Sequence, residues 1–105
     1  MNSATLPSFW QKYRDLKPAV KAGAKKAYRL WVENPFHPSL HFKCIDSDED
    51  IWSVRVTKSH RALGVLSGDT VTWFWIGDHR KFGSETPSFY DGFTVKYEHR
   101  LRNIC

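Results

Sequence analysis

The side chains with the means to do chemistry are concentrated between Trp52 and Lys81. Trp52, Val54 and Val56 alternate with Ser53, Arg55 and Thr57, so a strand here buries one row and presents Arg55 on the other. Arg61 follows the polar turn Lys58-Ser59-His60, and His79-Arg80-Lys81 follow a third apolar run. Guanidinium and ammonium groups bind phosphate and carboxylate oxygens, and imidazole exchanges protons near neutral pH. Side chains at strand ends and turns can converge on one ligand, so Arg55, Arg61, His79, Arg80 and Lys81 form the candidate site. His60 and His79 each abut an arginine, and a neighbouring cation lowers an imidazole pKa and preserves its neutral, basic form. The residue types leave two readings open for this pair: proton-transfer groups, or two exposed turn histidines.

Three strands are needed to position these groups. The runs Trp52–Thr57, Arg61–Leu66 and Thr70–Gly77 are separated by Lys58-Ser59-His60 and by Ser67-Gly68-Asp69, which suits a meander of antiparallel hairpins. In the last run, Val71, Trp73 and Trp75 share one face and Thr72, Phe74 and Ile76 the other. Apolar residues on both faces predict a central, covered strand in which the tryptophans are core residues and not stacking platforms for bases. An earlier run, Leu40 to Ile45, predicts a half-buried strand with Leu40, Phe42 and Cys44 inward and His41 and Lys43 outward. The block Asp46-Ser47-Asp48-Glu49-Asp50 then reads as a solvated hairpin loop, since it lacks the glycine and distal glutamate of a calcium-binding loop.

Two helices precede the strands. After a lead that can form an edge strand, Ser8-Phe9-Trp10-Gln11 matches a capping box with Ser8 as N-cap. Phe9, Tyr13 and Leu16 fall on one face of this helix, which ends before Pro18, a residue suited to the first turn of the next. In that second helix Val20, Ala24, Ala27 and Trp31 form a stripe that faces the sheet. Lys21, Lys25 and Arg29 form a separate basic row, read as a solvated face or as a contact for phosphates or an acidic partner. Asn34-Pro35-Phe36-His37-Pro38 ends the helix.

The 105 residues, 41% of them apolar, are enough for one core, and 16 Lys and Arg against 11 Asp and Glu favour a polyanionic partner. Residues 1 to 43 carry eight of the basic side chains and only two acids. The two cysteines, Cys44 and Cys105, make no disulfide framework, and the five histidines show no zinc-ligand spacing. No phosphate-binding glycine loop, nucleophile elbow or kinase motif is present. The first residues show no secretory pattern and no apolar run reaches membrane-spanning length, so a soluble, cytoplasmic protein with no membrane association is expected.

The ordered pieces SFWQKYRDL, NPFHPSL, HFKCI, WSVRV, HRALG and WFWIGDHRKF, between residues 8 and 82, resemble the RelE/ParE superfamily of toxin–antitoxin toxins. The resemblance implies an α+β microdomain, an N-terminal antiparallel helical hairpin packed on a mainly antiparallel sheet, over residues 1–82. Residues 83–105 extend past the usual end of that fold and are expected to pack on the domain or at a dimer interface. The resemblance also implies a metal-independent endoribonuclease, without cofactor, that cleaves mRNA on the ribosome and is held inactive by a cognate antitoxin. In this reading Arg55 and Arg61 clamp phosphate, His79 is the acid or base, and Lys43, His60, Arg80 and Lys81 bind substrate. Arg55→Ala and Arg61→Ala are each expected to abolish toxicity with the fold intact. Phe82 stands where many members have a tyrosine. The ParE branch of the superfamily implies an alternative, a non-catalytic inhibitor that binds DNA gyrase or another protein.

Overall fold

Two prolines set the helical layer. Pro7 opens α1 (Pro7–Arg14) and Pro18 opens α2 (Pro18–Glu33), each at a position where a helix has no use for the missing N–H. The computed structural model describes residues 1–81, so the proposed division at residue 82 and the packing of residues 83–105 lie outside the described residues. Five strands follow or flank the helices: β1 (Asn2–Thr5), β2 (Lys43–Asp46), β3 (Ile51–Arg55), β4 (His60–Ser67) and β5 (Thr70–Asp78). They form one sheet in the order β1-β5-β4-β3-β2, with β1 parallel to β5 and every other pair antiparallel. The expected α+β architecture, edge strand and meander are all present.

One face of the sheet carries both helices. Ala27 and Trp31 of α2 are buried against Phe42, Val54, Ala62, Val71, Trp73 and Ile76, and Phe9, Tyr13 and Leu16 of α1 pack on the same cluster. Trp31 meets Trp73 and Phe42 edge-on, with ring centroids 5.6 and 5.9 Å apart, a geometry favoured by the ring quadrupoles. The β4–β5 hairpin turns on Gly68-Asp69. Gly68 has φ +60°, which suits the first central residue of a two-residue hairpin turn.

Four details differ from the sequence reading, each for a local reason. Ser8 is not a cap: Leu6 occupies that position, and the Ser8 hydroxyl donates to the Phe74 carbonyl at 2.8 Å. Phe74 is the extra residue of a bulge, since Leu63 pairs with Trp75 and Gly64 with Trp73. One inserted residue reverses the alternation, so Trp73 and Ile76 share the helix-side core while Trp75 lies on the other face, next to Leu63. The third correction concerns the run from Leu40 to Ile45. His41 is left-handed with φ +47°, the strand begins only at Lys43, and a register shift between Cys44 and Asp46 leaves Cys44 exposed and Ile45 buried. Asp46 is likewise buried, not solvated, and its Oδ1 accepts from the N–H groups of Asp48 and Glu49 to build the hairpin loop.

Candidate functional site

Sheet register brings most of the candidate residues to one end of β3, β4 and β5. Arg55 stands opposite Arg61, His60 opposite Asp78, and Arg61 opposite Gly77. The turn from β3 to β4 is closed by the Val56 and Thr57 N–H groups, which both donate to the His60 carbonyl. The His79 N–H donates to the Ser59 carbonyl at 3.1 Å, so the short 3₁₀ turn His79–Lys81 is tied to that same turn. Arg55, His60, Arg61, His79 and Arg80 are therefore neighbours through backbone geometry alone.

Two like charges opposite each other on a ladder repel, and Arg55 and Arg61 resolve this by pointing to different surroundings. Arg61 is fully buried, and its Nη1 donates to the carbonyls of Thr57, Lys58 and His60 at 2.7, 3.2 and 2.8 Å. It holds the β3–β4 turn together from beneath. Arg55 stays half-exposed, with its Nη1 3.5 Å from Nε2 of exposed His41. Sequence reasoning left His41 out of the site, although it took Lys43 from the same outer row. Only the left-handed backbone at position 41 sets it beside Arg55.

The two histidines are held differently. His60 is half-exposed, and its Nδ1 is 3.1 Å from the Thr57 hydroxyl and 3.0 Å from that of Ser59, which fixes the ring. His79 is buried, and burial pushes its pKa below 6.5, with the Arg61 guanidinium adding to the effect. It is held neutral at physiological pH. Arg80 is committed locally: its Nε and Nη2 donate to the Asp78 carboxylate at 3.0 and 2.6 Å, and this guanidinium holds the carboxyl far below the usual range. Asp78 is a second residue that sequence reasoning passed over, although its place two residues before Arg80 is a common signal for a local turn bond. Lys43 is exposed on edge strand β2, two strands away from Arg61, and Lys81 ends the 3₁₀ turn.

The resulting surface joins exposed cations and a positioned imidazole to a buried arginine and a neutral imidazole. A family model for the ParE-like toxin domain matches residues 18–83, from the start of α2 past the end of the 3₁₀ turn.

The chain belongs to the ParE-like toxin domain family.

This ParE-like domain is a toxin of the RelE/ParE type of toxin–antitoxin system. Its fold matches solved structures at low sequence identity. A chain of the RelB–RelE antitoxin–toxin complex of Methanococcus jannaschii aligns at 12% identity and TM-score 0.65, over 80% of this chain and 99% of that one. The YoeB/ParE toxin of Agrobacterium tumefaciens aligns at 20% identity and TM-score 0.60, over 75% and 99%. A copper-bound L66S mutant toxin of Helicobacter pylori aligns at 10% identity and TM-score 0.53, over 75% and 94%. No curated protein matches the sequence. Within the ParE-like domain, no helix among the described residues is long and apolar enough to cross a membrane.

Proposed function

We propose that this ParE-like toxin is a metal-independent endoribonuclease that acts on mRNA, on the ribosome in the cytoplasm, and is kept inactive by a cognate antitoxin. The observation that carries the proposal is the gathering of Arg55, His60, Arg61 and His79 at one end of β3, β4 and β5. In RNA cleavage of this kind the ribose 2′-oxygen attacks the adjacent phosphorus, the bond from phosphorus to the 5′-oxygen breaks, and a 2′,3′-cyclic phosphate and a 5′-hydroxyl result. A base takes the 2′-OH proton, an acid protonates the leaving oxygen, and cations stabilise the added negative charge. Arg55 is the exposed phosphate clamp. His79 supplies a neutral imidazole for the base step, and His60, oriented by Thr57 and Ser59, serves as the acid. Arg61 contributes positive potential from beneath and fixes the turn that carries His60. Lys43, Arg80 and Lys81 guide the RNA backbone, Arg80 by exchanging Asp78 for phosphate.

A second reading rests on one specific observation. Arg61 is 0% exposed and His79 only 6% exposed, which is poor access for groups that must touch a substrate. A toxin that binds gyrase or another protein through the same surface needs no such access. Induced expression separates the two. Breakdown of cellular mRNA, lost in Arg55→Ala, is expected; intact mRNA together with a DNA-damage response overturns the ribonuclease reading in favour of the second.

A further inference from the structure

The sheet has two faces, and residues on both are buried. Both helices, and Leu40 of the 3₁₀ turn Pro38–Leu40, pack on one of them, the face of Val54, Ala62 and Trp73. Strand alternation and the pairing register set Ile51, Ser53, Arg61, Leu63 and Trp75 on the other. None of these five belongs to the helix-side cluster, yet all are buried. Side chains stand roughly at right angles to a sheet, so strand neighbours shield the flanks of an indole but not its outer end. With only 1% of Trp75 exposed, something lies across that end. Among the described residues no helix or strand is placed to do so, since α1 and α2 lie on the far side and all five strands are in the sheet itself.

The burial is graded along β4. Val65, two residues beyond Leu63 and on the same face, is 37% exposed. Whatever covers the face therefore spans Arg61 and Leu63 and thins towards the β4–β5 turn. Arg55, beyond the last β2–β3 pair, stays half-exposed at the margin.

The rest of the chain meets these requirements. The described residues end at Lys81, in the 3₁₀ turn that the His79 N–H ties to Ser59, so residue 82 starts at the covered end of the face. Extended chain advances about 3.3 Å per residue, so a segment of about nine residues runs the length of nine-residue β5, and residues 82–105 are long enough to cross the face twice. Within them Phe93, Val95 and Tyr97 alternate with Thr94, Lys96 and Glu98, one apolar row to meet the sheet and one polar row to meet water. A tethered segment also outcompetes a second molecule, because its effective concentration reaches the millimolar range.

We infer that residues 82–105 fold back over the sheet face opposite the helices and close a second apolar layer on Ser53, Leu63 and Trp75. The covered face is the one that carries Arg55 and Arg61, so this segment governs what reaches the buried arginine and leaves the exposed one open. The placement goes beyond the ribonuclease reading and does not depend on it.

The test uses the full chain with p-benzoylphenylalanine in place of Phe93, irradiated as an equal mixture of nitrogen-15-labelled and unlabelled protein and mapped by mass spectrometry. Cross-links from position 93 to peptides that contain Ser53, Leu63 or Trp75 are expected, each within a single isotope label. Mixed-label cross-links to those peptides assign the cover to a second copy and overturn the inference, as do cross-links to α1 or α2 or the absence of any to this face. Thiol access gives a second measurement. Ser53→Cys, in a chain with Cys44→Ser and Cys105→Ser, is expected to react with a maleimide at least tenfold more slowly than exposed Cys44 does in a Cys105→Ser chain. Adding Phe93→Asp and Tyr97→Asp is expected to raise that rate at least tenfold with the circular dichroism spectrum unaltered. A thiol at position 53 that reacts as fast as Cys44, or a rate that the two substitutions leave unchanged, overturns the inference. If the two substitutions alter the spectrum, the cross-links alone decide. Neither measurement involves RNA, so the cover and the ribonuclease reading stand or fall separately.

Discussion

At the scale of single residues, the two arginines that face each other across β3 and β4 are not equivalent. Among the described residues Arg55 has only a long contact with His41, so Arg55→Ala should remove toxicity and leave the thermal midpoint nearly unchanged, as surface substitutions do. Arg61→Ala strips three carbonyls of a shared buried donor. Leaving buried acceptors unsatisfied costs on the order of 1–3 kcal/mol, so this variant should unfold at clearly lower denaturant, which corrects the expectation that both substitutions spare the fold. Equal denaturation midpoints for the two variants would refute the distinction. His79 gives a second prediction at this scale. Burial and Arg61 lower its pKa from 6.5, so a base step through it loses its rate at a lower pH than an ordinary imidazole would. A pH–rate profile of RNA cleavage should show this acid limb in the native chain, and His79→Gln should lose it.

At the scale of elements, the β4–β5 ladder depends on one residue having no side chain. A Cβ at Gly64 would lie 2.5 Å from Val71 Cγ1 and 2.9 Å from Trp73 Cε3, both in the helix-side core. Gly64→Ala must therefore displace Trp73, which Trp31 and Phe42 hold in place. Overpacking of this kind costs about 1–3 kcal/mol, against about 3–5 kcal/mol for the large-to-small deletion Trp31→Ala, which is 2% exposed. Chemical denaturation of the two variants should rank them in that order. A Gly64→Ala variant as stable as the parent would show that the bulge relaxes without strain.

For the whole molecule, acid should act in two stages. His79 has a folded pKa below its unfolded value, so the stability this represents is complete above about pH 6.5 and declines as the pH falls. Asp78 is also depressed, chiefly by hydrogen bonds from Arg80, and its contribution is complete above about pH 4 and lost below it. Urea midpoints measured from pH 8 to pH 3 should fall in two steps. His79→Gln should remove the upper step and Asp78→Asn the lower one. A single step that neither substitution alters would place acid sensitivity elsewhere in the fold.

The sequence by itself determined the parts that depend on local pattern. Proline placement marked where α2 starts, a 3.6-residue stripe marked Ala27 and Trp31 as its buried side, and polar turns divided the β3–β5 meander. Those signals are written in neighbouring residues, and the order of the motifs was enough to suggest the toxin family. Tertiary structure alone decided which residues share a face and which are reachable. A bulge at Phe74 and a left-handed His41 each offset the two-residue period by local geometry that no alternation rule anticipates. Ser8 became a partner of the bulge because the Phe74 carbonyl lies within its reach. Arg61 and Arg55 look alike in the chain, yet one is buried under three carbonyls and the other faces solvent, since burial depends on contacts between distant segments and not on residue type.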